Sequence, residues 1–489
     1  MDAVGERPRA TLKVASVVGR DFATPVLRGA HPDLGGEAEV DAHLGQLCNE
    51  NLVAQLGAGR GRYSFRHAVI RDVAYESIPL AMRTDLHGRV GNWLEASGLE
   101  ALDLLAHHFW LSADQAKKLH YLLAAARSAR GRYANDVAVD YFRRAAPLLE
   151  EEPRQEVLME LGGVLELKGD FVEAESVFGE ALELAARRGD RLGAARARTA
   201  RAAPVQKQGD LERARAELGL ARPELEALGD GATLGRVAHL CGTIAAQRGD
   251  YAAAREHYEA SLGIRRALGD RAAEASVLSN LAIVAEYEQD YARARDLNEQ
   301  ALAVRRALGD RWGTGVSENN LGMVAFLEGD FAGSRAHLEE ALQVEQAVGD
   351  SWMVAIARHN LGNTMREMGE PGAAGRNYEQ ALAAYAAAGD KWAQCLLLED
   401  IAMLVAALAP RGAARLVGAA EAVREGTGSP RVPALQQQLD QRLAVVAEHL
   451  GDDLVNQTDL GRRLSLGDAR ELALALCRDH TGPAGPISG

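Results

Sequence analysis

Apolar and polar positions repeat along the middle of this chain with a period of twenty residues. Each period predicts one helix and closes with Gly-Asp or a close variant, as at Gly309-Asp310. Glycine just beyond a helix end adopts the left-handed conformation without a side-chain penalty. Aspartate next to it can cap the following helix by accepting free backbone amides. The dipeptide therefore predicts where one helix ends and the next begins, with about 16 helical residues between turns.

The twenty-residue periods alternate in character, so the full repeat is forty residues long. Tyr251-Asp270, Tyr291-Asp310 and Phe331-Asp350 form one series, and the segments between them form the other. A fixed period of this length is typical of a solenoid. Each repeat is predicted to be a helical hairpin, whose first helix we call helix A and whose second helix we call helix B.

The aligned columns resemble the tetratricopeptide repeat. Helix A carries a Leu-Gly pair, as at Leu361-Gly362, and helix B carries Ala-x-x-x-aromatic-x-x-Ala, as at Ala374, Tyr378 and Ala381. This combination is the tetratricopeptide pattern. The resemblance covers about residues 151–390. It implies an all-α fold, a TPR-like α-solenoid of forty-residue hairpins.

The segment before the repeats follows a different pattern, which predicts a small N-terminal winged-helix-like domain. Helices are predicted at Thr11-Gly19, Phe22-Arg28, Val40-Asn49 and Phe65-Ile78, and short strands at Leu52-Gln55 and Arg62-Phe65. The predicted domains are 1–80 (winged-helix-like), 81–150 (helical linker and degenerate first hairpin), 151–425 (repeats), 426–480 (capping helices) and 481–489 (disordered tail).

Two N-terminal stretches are similar to segments of large bacterial regulators. ASVVGRDF occupies Ala15-Phe22 and YSFRHAVIRDVAYESI occupies Tyr63-Ile78. Both resemble the region that follows the ATPase module in signal-transducing (STAND-type) ATP-binding transcriptional regulators and multidomain adenylate or guanylate cyclases. AARLVGAAEAVRE at Ala413-Glu425 and GRRLSLGDARELAL at Gly461-Leu474 resemble the end of the same regulators.

The sequence departs from these regulators in one respect. It contains no GxxxxGK[ST] phosphate loop and no Gly-Lys dipeptide. Nucleotide hydrolysis therefore has no evident site. By the resemblance, the chain begins where the ATPase module would end, and we expect a truncated product, a split partner of a separate ATPase or cyclase module, or a stand-alone sensor arm.

Composition limits the partners that we expect. The net charge is −14 and no basic block occurs, so nucleic acid and an anionic membrane are poor partners. The four cysteines are far apart, the N-terminus has no signal-peptide core, and no apolar run is long enough to cross a membrane. A cytoplasmic location is expected.

The best functional candidate is a column of asparagines in helix A. Asn280, Asn320 and Asn360 lie forty residues apart, and Asn319 and Asn363 are close to them. Because an amide offers both a donor and an acceptor, such a ladder could bind the backbone of an extended peptide on the concave face of the array. The alternative is that these amides bond neighbouring helices to each other. Both interpretations stay open.

Other candidate chemistry is weaker. Trp312, Trp352 and Trp392 form a second column, for which helix packing is the favoured role. Adjacent His107 and His108 point about 100° apart on a helix and are interpreted as packing residues. No catalytic residue, metal site or cofactor is predicted.

We therefore expect a non-catalytic sensor and protein-interaction arm of a bacterial signalling or transcriptional regulator. Its partner would be a peptide or protein, bound on the concave surface. The first alternative is an inert or split fragment of a multidomain cyclase or ATPase regulator. The second is a DNA-binding regulator that uses the winged helix.

Overall fold

The computed structural model describes residues 4–57, 61–98, 101–132, 134–427 and 433–480. The predicted tail at 481–489 and most of the glycine-rich turn at 57–61 lie outside these residues. The chain forms two compact units, Met1–Thr233 and Leu234–Gly489. The boundary lies within the repeats, and each unit is described separately below.

The first unit contains twelve α-helices and three strands among its described residues. The helices are α1 (Glu6–Val18), α2 (Thr24–Ala30), α3 (Glu37–Asn49), α4 (Ala68–Glu76), α5 (Leu80–Ala96), α6 (Leu102–Trp110), α7 (Gln115–Gly131), α8 (Asn135–Ala145), α9 (Glu151–Lys168), α10 (Phe171–Arg188), α11 (Arg191–Lys207) and α12 (Leu211–Leu228). The strands are β1 (Asp21–Ala23), β2 (Val53–Gln55) and β3 (Arg62–Phe65).

The three strands form one antiparallel sheet in the order β1-β3-β2. The strands β2 and β3 agree with the sequence prediction to within one residue. The prediction of a helix from Phe22 is wrong, because Phe22 lies in β1 opposite Tyr63 and the helix begins at Thr24. The cause is tertiary: the Phe22 ring lies 5.4 Å from the Phe65 ring and 6.1 Å from the Tyr63 ring, which buries it.

The second unit begins within a helix and is helical throughout its described residues. Its helices are α13 (Gly231–Gln247), α14 (Tyr251–Leu268), α15 (Arg271–Tyr287), α16 (Tyr291–Leu308), α17 (Arg311–Leu327), α18 (Phe331–Val348), α19 (Ser351–Glu367), α20 (Pro371–Ala387), α21 (Lys391–Val405), α22 (Pro410–Thr427), α23 (Pro433–Leu450), α24 (Asp453–Arg462) and α25 (Leu466–His480). Odd-numbered helices from α9 to α21 are A helices, and the even-numbered helices that follow them are B helices.

The Gly-Asp turns have the predicted geometry, except that the Asp170 side chain does not cap α10. Gly309 has φ +69°, its N–H donates to the Arg306 carbonyl, and the Asp310 N–H donates to the Arg305 carbonyl at 2.9 Å. The Asp310 carboxylate then accepts from the Gly313 N–H at 2.8 Å and caps α17. Gln289 takes the same left-handed conformation with φ +62°, so the degenerate turn keeps its shape despite its side chain.

In four of the hairpins, a glycine of helix A lies in close contact with a large side chain of helix B. A Cβ atom added at Gly162 would lie 2.5 Å from the Phe178 ring, and one added at Gly242 would lie 2.7 Å from the Tyr258 ring. Phe178 and Tyr258 are almost fully buried. The Leu-Gly column therefore sets how closely helices A and B approach each other.

The C-terminal helices continue the apolar core of the second unit. Ala473, Leu476 and Cys477 of α25 are buried with residues of α20, α21 and α22. Helices α22 and α24 cross closely, since a Cβ atom at Gly418 would meet the Thr458 backbone. The helix α24 was not expected from the sequence. The C-terminal helices are therefore packed against the last repeat of this unit.

In the first unit, α5 and α6 pack through a buried histidine pair. His87 Nδ1 lies 3.0 Å from His108 Nδ1, and His87 Nε2 lies 3.0 Å from Tyr75 Oη. Burial, with the nearby charges of His107 and Arg83, lowers the pKa of His87 to about 4. Burial, with the charges of His87 and His107, lowers the pKa of His108 to about 3. His108 thus has the packing role that the sequence indicated.

Adjacent glycines of α9 give a matched test of the hairpin contact. We expect Gly162→Ala to lower the free energy of unfolding by about 1–3 kcal/mol, because its Cβ meets the Phe178 ring. In Gly163→Ala the added Cβ has no atom within 4 Å. This variant should raise the free energy of unfolding by about 0.5–1 kcal/mol, because alanine has the higher helix propensity. Urea unfolding followed by circular dichroism measures both, and equal effects would contradict the packing argument.

The histidine pair predicts a dependence of stability on pH. The unfolded chain takes up protons near pH 6.5, whereas the folded pair stays neutral until the pH approaches 4. The free energy of unfolding should therefore decrease as the pH falls from about 7 to about 4. Replacing both residues (His87→Gln, His108→Gln) should flatten that decrease in urea unfolding. An unchanged slope in the double variant would refute this assignment.

Candidate partner-binding site on the A helices

The asparagine column lies at one repeated position of the A helices α15, α17 and α19. Asn280, Asn320 and Asn360 are each partly exposed, whereas Asn319 is only 7% exposed. Asn363 lies one turn further along α19 and is partly exposed. The structure thus places the predicted residues on successive A helices of the second unit.

Most of these amides bond neighbouring A helices to each other. Asn280 Nδ2 lies 3.2 Å from His239 Nε2, and Asn360 Nδ2 donates to Asn319 Oδ1 at 3.0 Å. Each pair joins residues 41 positions apart. His359 and Asp400 continue the series, with His359 Nε2 2.7 Å from Asp400 Oδ2.

We call the resulting series of residue pairs the polar row. It consists of four pairs in equivalent positions: His239 with Asn280, Ser279 with Asn320, Asn319 with Asn360, and His359 with Asp400. Hydrogen bonds close the first, third and fourth pairs. The alternative that the sequence left open, bonding between helices, therefore describes Asn280, Asn319 and Asn360.

The second pair of the polar row is not bonded. The buried hydroxyl of Ser279 has no hydrogen-bond partner among the described residues. The structure gives the Asn320 side chain no hydrogen bond within the same part of the chain. Asn320 is therefore the member of the column whose donor and acceptor are both available.

The same repeat contains a second unpaired amide. Asn298 of α16 is fully buried, and neither of its side-chain polar atoms has a partner in the described part of the chain. In equivalent positions of other repeats, the His239 and Tyr258 rings lie 5.5 Å apart, and the His359 and Tyr378 rings lie 6.1 Å apart. Ser279 and Asn298 replace both rings here. Buried polar groups normally have partners, so these unpaired atoms distinguish this repeat from the others.

Asn363 belongs to a separate, charged cluster at the end of the polar row. Its amide nitrogen is best placed 3.3 Å from both Asp400 carboxylate oxygens and 2.6 Å from Tyr378 Oη. Arg366 Nη1 donates to Asp400 Oδ1 at 3.0 Å. Tyr385 Oη lies 3.4 Å from His359 Nδ1 on the other side.

Electrostatics makes this cluster a structural element. Burial would raise the pKa of Asp400, but the hydrogen bond from His359 and the charge of Arg366 outweigh it and lower the pKa to about 2. A carboxylate with a pKa this low, whose charge is balanced by an arginine, is a poor general base. Tyr385, His359 and Asp400 are linked by hydrogen bonds. The Asp400 carboxylate, however, is also paired with buried Arg366.

The tryptophan column serves the contacts between repeats. Trp312 Nε1 donates to Asp350 Oδ2 at 3.0 Å, and Trp352 Nε1 lies 3.4 Å from Asp390 Oδ2. These aspartates also cap the next A helices. Both rings remain about half exposed, so these tryptophans make hydrogen bonds between repeats and little of the helix packing that the sequence indicated.

Within the described residues, no group of three or more His, Cys, Asp or Glu side chains is arranged to hold a metal ion. No described helix is both long and apolar enough to span a membrane.

Comparison with known families identifies the repeats. A tetratricopeptide repeat model matches residues 234–307 and 313–387, and a second tetratricopeptide repeat model matches residues 157–192. Tetratricopeptide repeats are therefore present in both units, and the all-α solenoid prediction is confirmed. No curated protein matches the chain.

Solved structures share the fold at low sequence identity. One is a signal transduction ATPase with numerous domains (STAND) from Pyrococcus horikoshii, which has a tetratricopeptide repeat sensor. It is 13% identical, with a TM-score of 0.51 over 94% of this chain and 66% of that protein. This chain thus spans slightly less than two thirds of that protein's length.

Two further structures are more distant. The Rap conjugation gene regulator of plasmid pLS20, in complex with the Phr* peptide, is 14% identical, with a TM-score of 0.47 over 78% of this chain and 96% of that one. Aspartyl phosphate phosphatase F from Bacillus subtilis is 9% identical, with a TM-score of 0.47 over 78% and 95%.

Sequence reasoning did not identify four residues that shape this site. His239, Ser279 and His359 occupy the position just before the asparagine column, and Asn298 replaces the aromatic residue of helix B. Each of these residues could have been found in the forty-residue alignment, because each is an exception to a repeated column or an addition to one. The alignment does not show which of these residues pair with each other across helices.

The charged cluster yields a prediction for stability. Asp400→Asn should lower the free energy of unfolding by about 2 kcal/mol, because it removes one of the two carboxylates that pair with buried Arg366, the other being Glu367. The contribution of Asp400 is present above its unfolded pKa of 3.8 and is lost as the pH falls toward 2. The measurement is urea unfolding at neutral pH. Asp459→Asn, at an exposed site of α24, is the control, and equal midpoints for the two variants would contradict the prediction.

Proposed function

We propose that this chain is a non-catalytic sensor and interaction arm of a bacterial signalling or transcriptional regulator, and that it binds an extended peptide or protein segment. The proposed surface is the A-helix face of the second unit, around Asn320. The observation that carries the proposal is the unbonded pair of Ser279 and Asn320 in an otherwise bonded polar row.

The chemistry of the pair suits a peptide backbone. An amide side chain can donate to a backbone carbonyl and accept from a backbone N–H in the same place. Asn280 and Asn360 flank Asn320 on neighbouring A helices and are partly exposed, so each retains hydrogen-bonding capacity beyond its interhelix bond. A backbone ligand that crosses these helices would meet several amides without a demand on its sequence.

The regulator context is supported by the sequence resemblance and by the shared fold. The stretches at Ala15-Phe22 and Tyr63-Ile78 are similar to segments that follow the ATPase module of STAND-type regulators. A STAND protein with a tetratricopeptide repeat sensor shares the fold. A separate ATPase or cyclase module is accordingly a proposed partner, and the cytoplasm is the proposed location.

The N-terminal residues fit a spacer role in this proposal. The order of helices and strands along the chain is the one expected of a winged helix. It is α1, β1, α2, α3, β2 and β3. We assign this winged-helix-like domain to positioning and not to DNA binding, since the chain carries a net charge of −14.

The proposal is tested with peptides selected from a random library against the full chain. Asn320→Ala should weaken binding of the selected peptides by about tenfold or more in fluorescence polarisation, because it removes the one amide of the asparagine column that has no hydrogen bond within the described residues. Its far-ultraviolet circular dichroism should match that of the unaltered chain. Asn456→Ala, in the exposed part of α24, is the matched control and should bind normally.

Two results would contradict the proposal. Unchanged affinity in the Asn320→Ala variant would place binding elsewhere. If the library gives no binding peptide at all, the alternative of an inert fragment gains support. Asn360→Ala serves as a comparison, since the loss of its bond to Asn319 should reduce stability as well as binding.

A further inference from the structure

A cavity of about 340 Å³ lies in the first unit, next to β1 and the end of α1. Small-molecule sites are typically clefts of roughly 300–1,000 Å³ with mostly apolar walls. The apolar wall residues come from α1, β1, α2, α5, α6 and the segment after β2. They are Val18, Phe22, Val26, Leu56, Leu94 and Leu104.

Two arginines with no carboxylate partner line the same cavity. The structure gives the Arg20 and Arg62 side chains no ion pair or hydrogen bond within the described residues, although both line the wall. Both arginines are exposed, so their guanidinium groups are accessible to an anion. Arg28 and Arg83 of the same unit are instead paired, with Glu37 and Glu76. Asp21 is the one carboxylate in the lining, so the wall carries a net positive charge.

His108 adds a third polar group to the wall. Its Nδ1 is engaged by His87, and its Nε2 has no protein partner in the described part of the chain. If Tyr75 donates to His87 Nε2, His87 must donate from Nδ1 to His108, and the proton of His108 then lies on Nε2. An acceptor in the cavity favours this direction of the hydrogen-bond chain, in which His108 donates to the ligand.

We propose that this cavity binds a small molecule with an aliphatic body and one carboxylate group. The apolar wall would hold the body, while Arg20, Arg62 and the Nε2–H of His108 would hold the carboxylate. Because the wall combines residues of the N-terminal sheet with residues of α5 and α6, such a ligand would tie the sheet to the helices that lead into the repeats. This site lies outside the proposed peptide surface and does not depend on it.

Isothermal titration calorimetry of the full chain with octanoate tests the charge requirement. Octanamide has the same aliphatic chain and a neutral head, and octylammonium has a positive one. We expect octanoate to bind at least about tenfold more tightly than octanamide, and octylammonium not to bind. Equal affinities for octanoate and octanamide would overturn the proposal.

Variants locate the site. The double change Arg20→Gln, Arg62→Gln should weaken octanoate by about tenfold and leave octanamide unaffected. Tyr75→Phe should weaken octanoate binding about threefold, because it removes the hydroxyl donor that orients the two histidines. The control is Arg89→Gln, whose side chain pairs with Asp85 on α5 and does not line the cavity. Wild-type octanoate affinity in the double variant would overturn the assignment.

A peptide that ends in a free C-terminal leucine presents the same two groups, an aliphatic side chain and a carboxylate. A hexapeptide of this kind is therefore titrated separately. Binding of octanoate with little binding of the hexapeptide supports a small-molecule ligand. The reverse result would overturn the small-molecule assignment in favour of a chain terminus.

Discussion

The close contact between a small residue of helix A and a large residue of helix B underlies the rest of this structure. It sets the distance between the two helices of four hairpins, as at Gly162 with Phe178 and Gly242 with Tyr258. Once that distance is set, equivalent residues of successive A helices face each other at a fixed separation. The polar row exists because of this regular spacing, and its bonds join residues 41 positions apart.

The repeat formed by α15 and α16 departs from this packing. Ala282 stands where α9, α13, α17 and α19 have glycine, and Asn298 stands where α10, α12, α14, α18 and α20 have a ring or leucine. By the repeat spacing these two residues occupy the two positions of the close contact. The exchange removes a ring and leaves the polar atoms of Asn298 and Ser279 unpaired. Interior packing is exchanged there for hydrogen-bonding capacity, which is why the proposed binding site lies at this repeat.

Much of the fold follows from local rules that the sequence displays directly. The Gly-Asp turns place the ends of the central helices because glycine and aspartate act within a few residues of themselves. The strand β1 was missed because its three residues carry no local signal, and Phe22 is held there by the rings of Tyr63 and Phe65. The asparagine column was found by its period. Its hydrogen-bond partners were not found, since His239 and Asp400 belong to neighbouring repeats.

Residue order alone therefore identifies the repeat, the hairpins, the turns and the face on which the asparagines lie, because each depends on periodicity and on short-range backbone chemistry. Only the tertiary structure determines which of those amides are hydrogen-bonded to neighbouring helices. Asn280 and Asn360 bond to side chains of adjacent A helices, whereas the structure gives the Asn320 side chain no hydrogen bond within the described residues. The cavity beside β1 likewise combines residues from α1, β1, α5 and α6. Such pairings depend on distances between segments far apart in the chain, which no local pattern encodes.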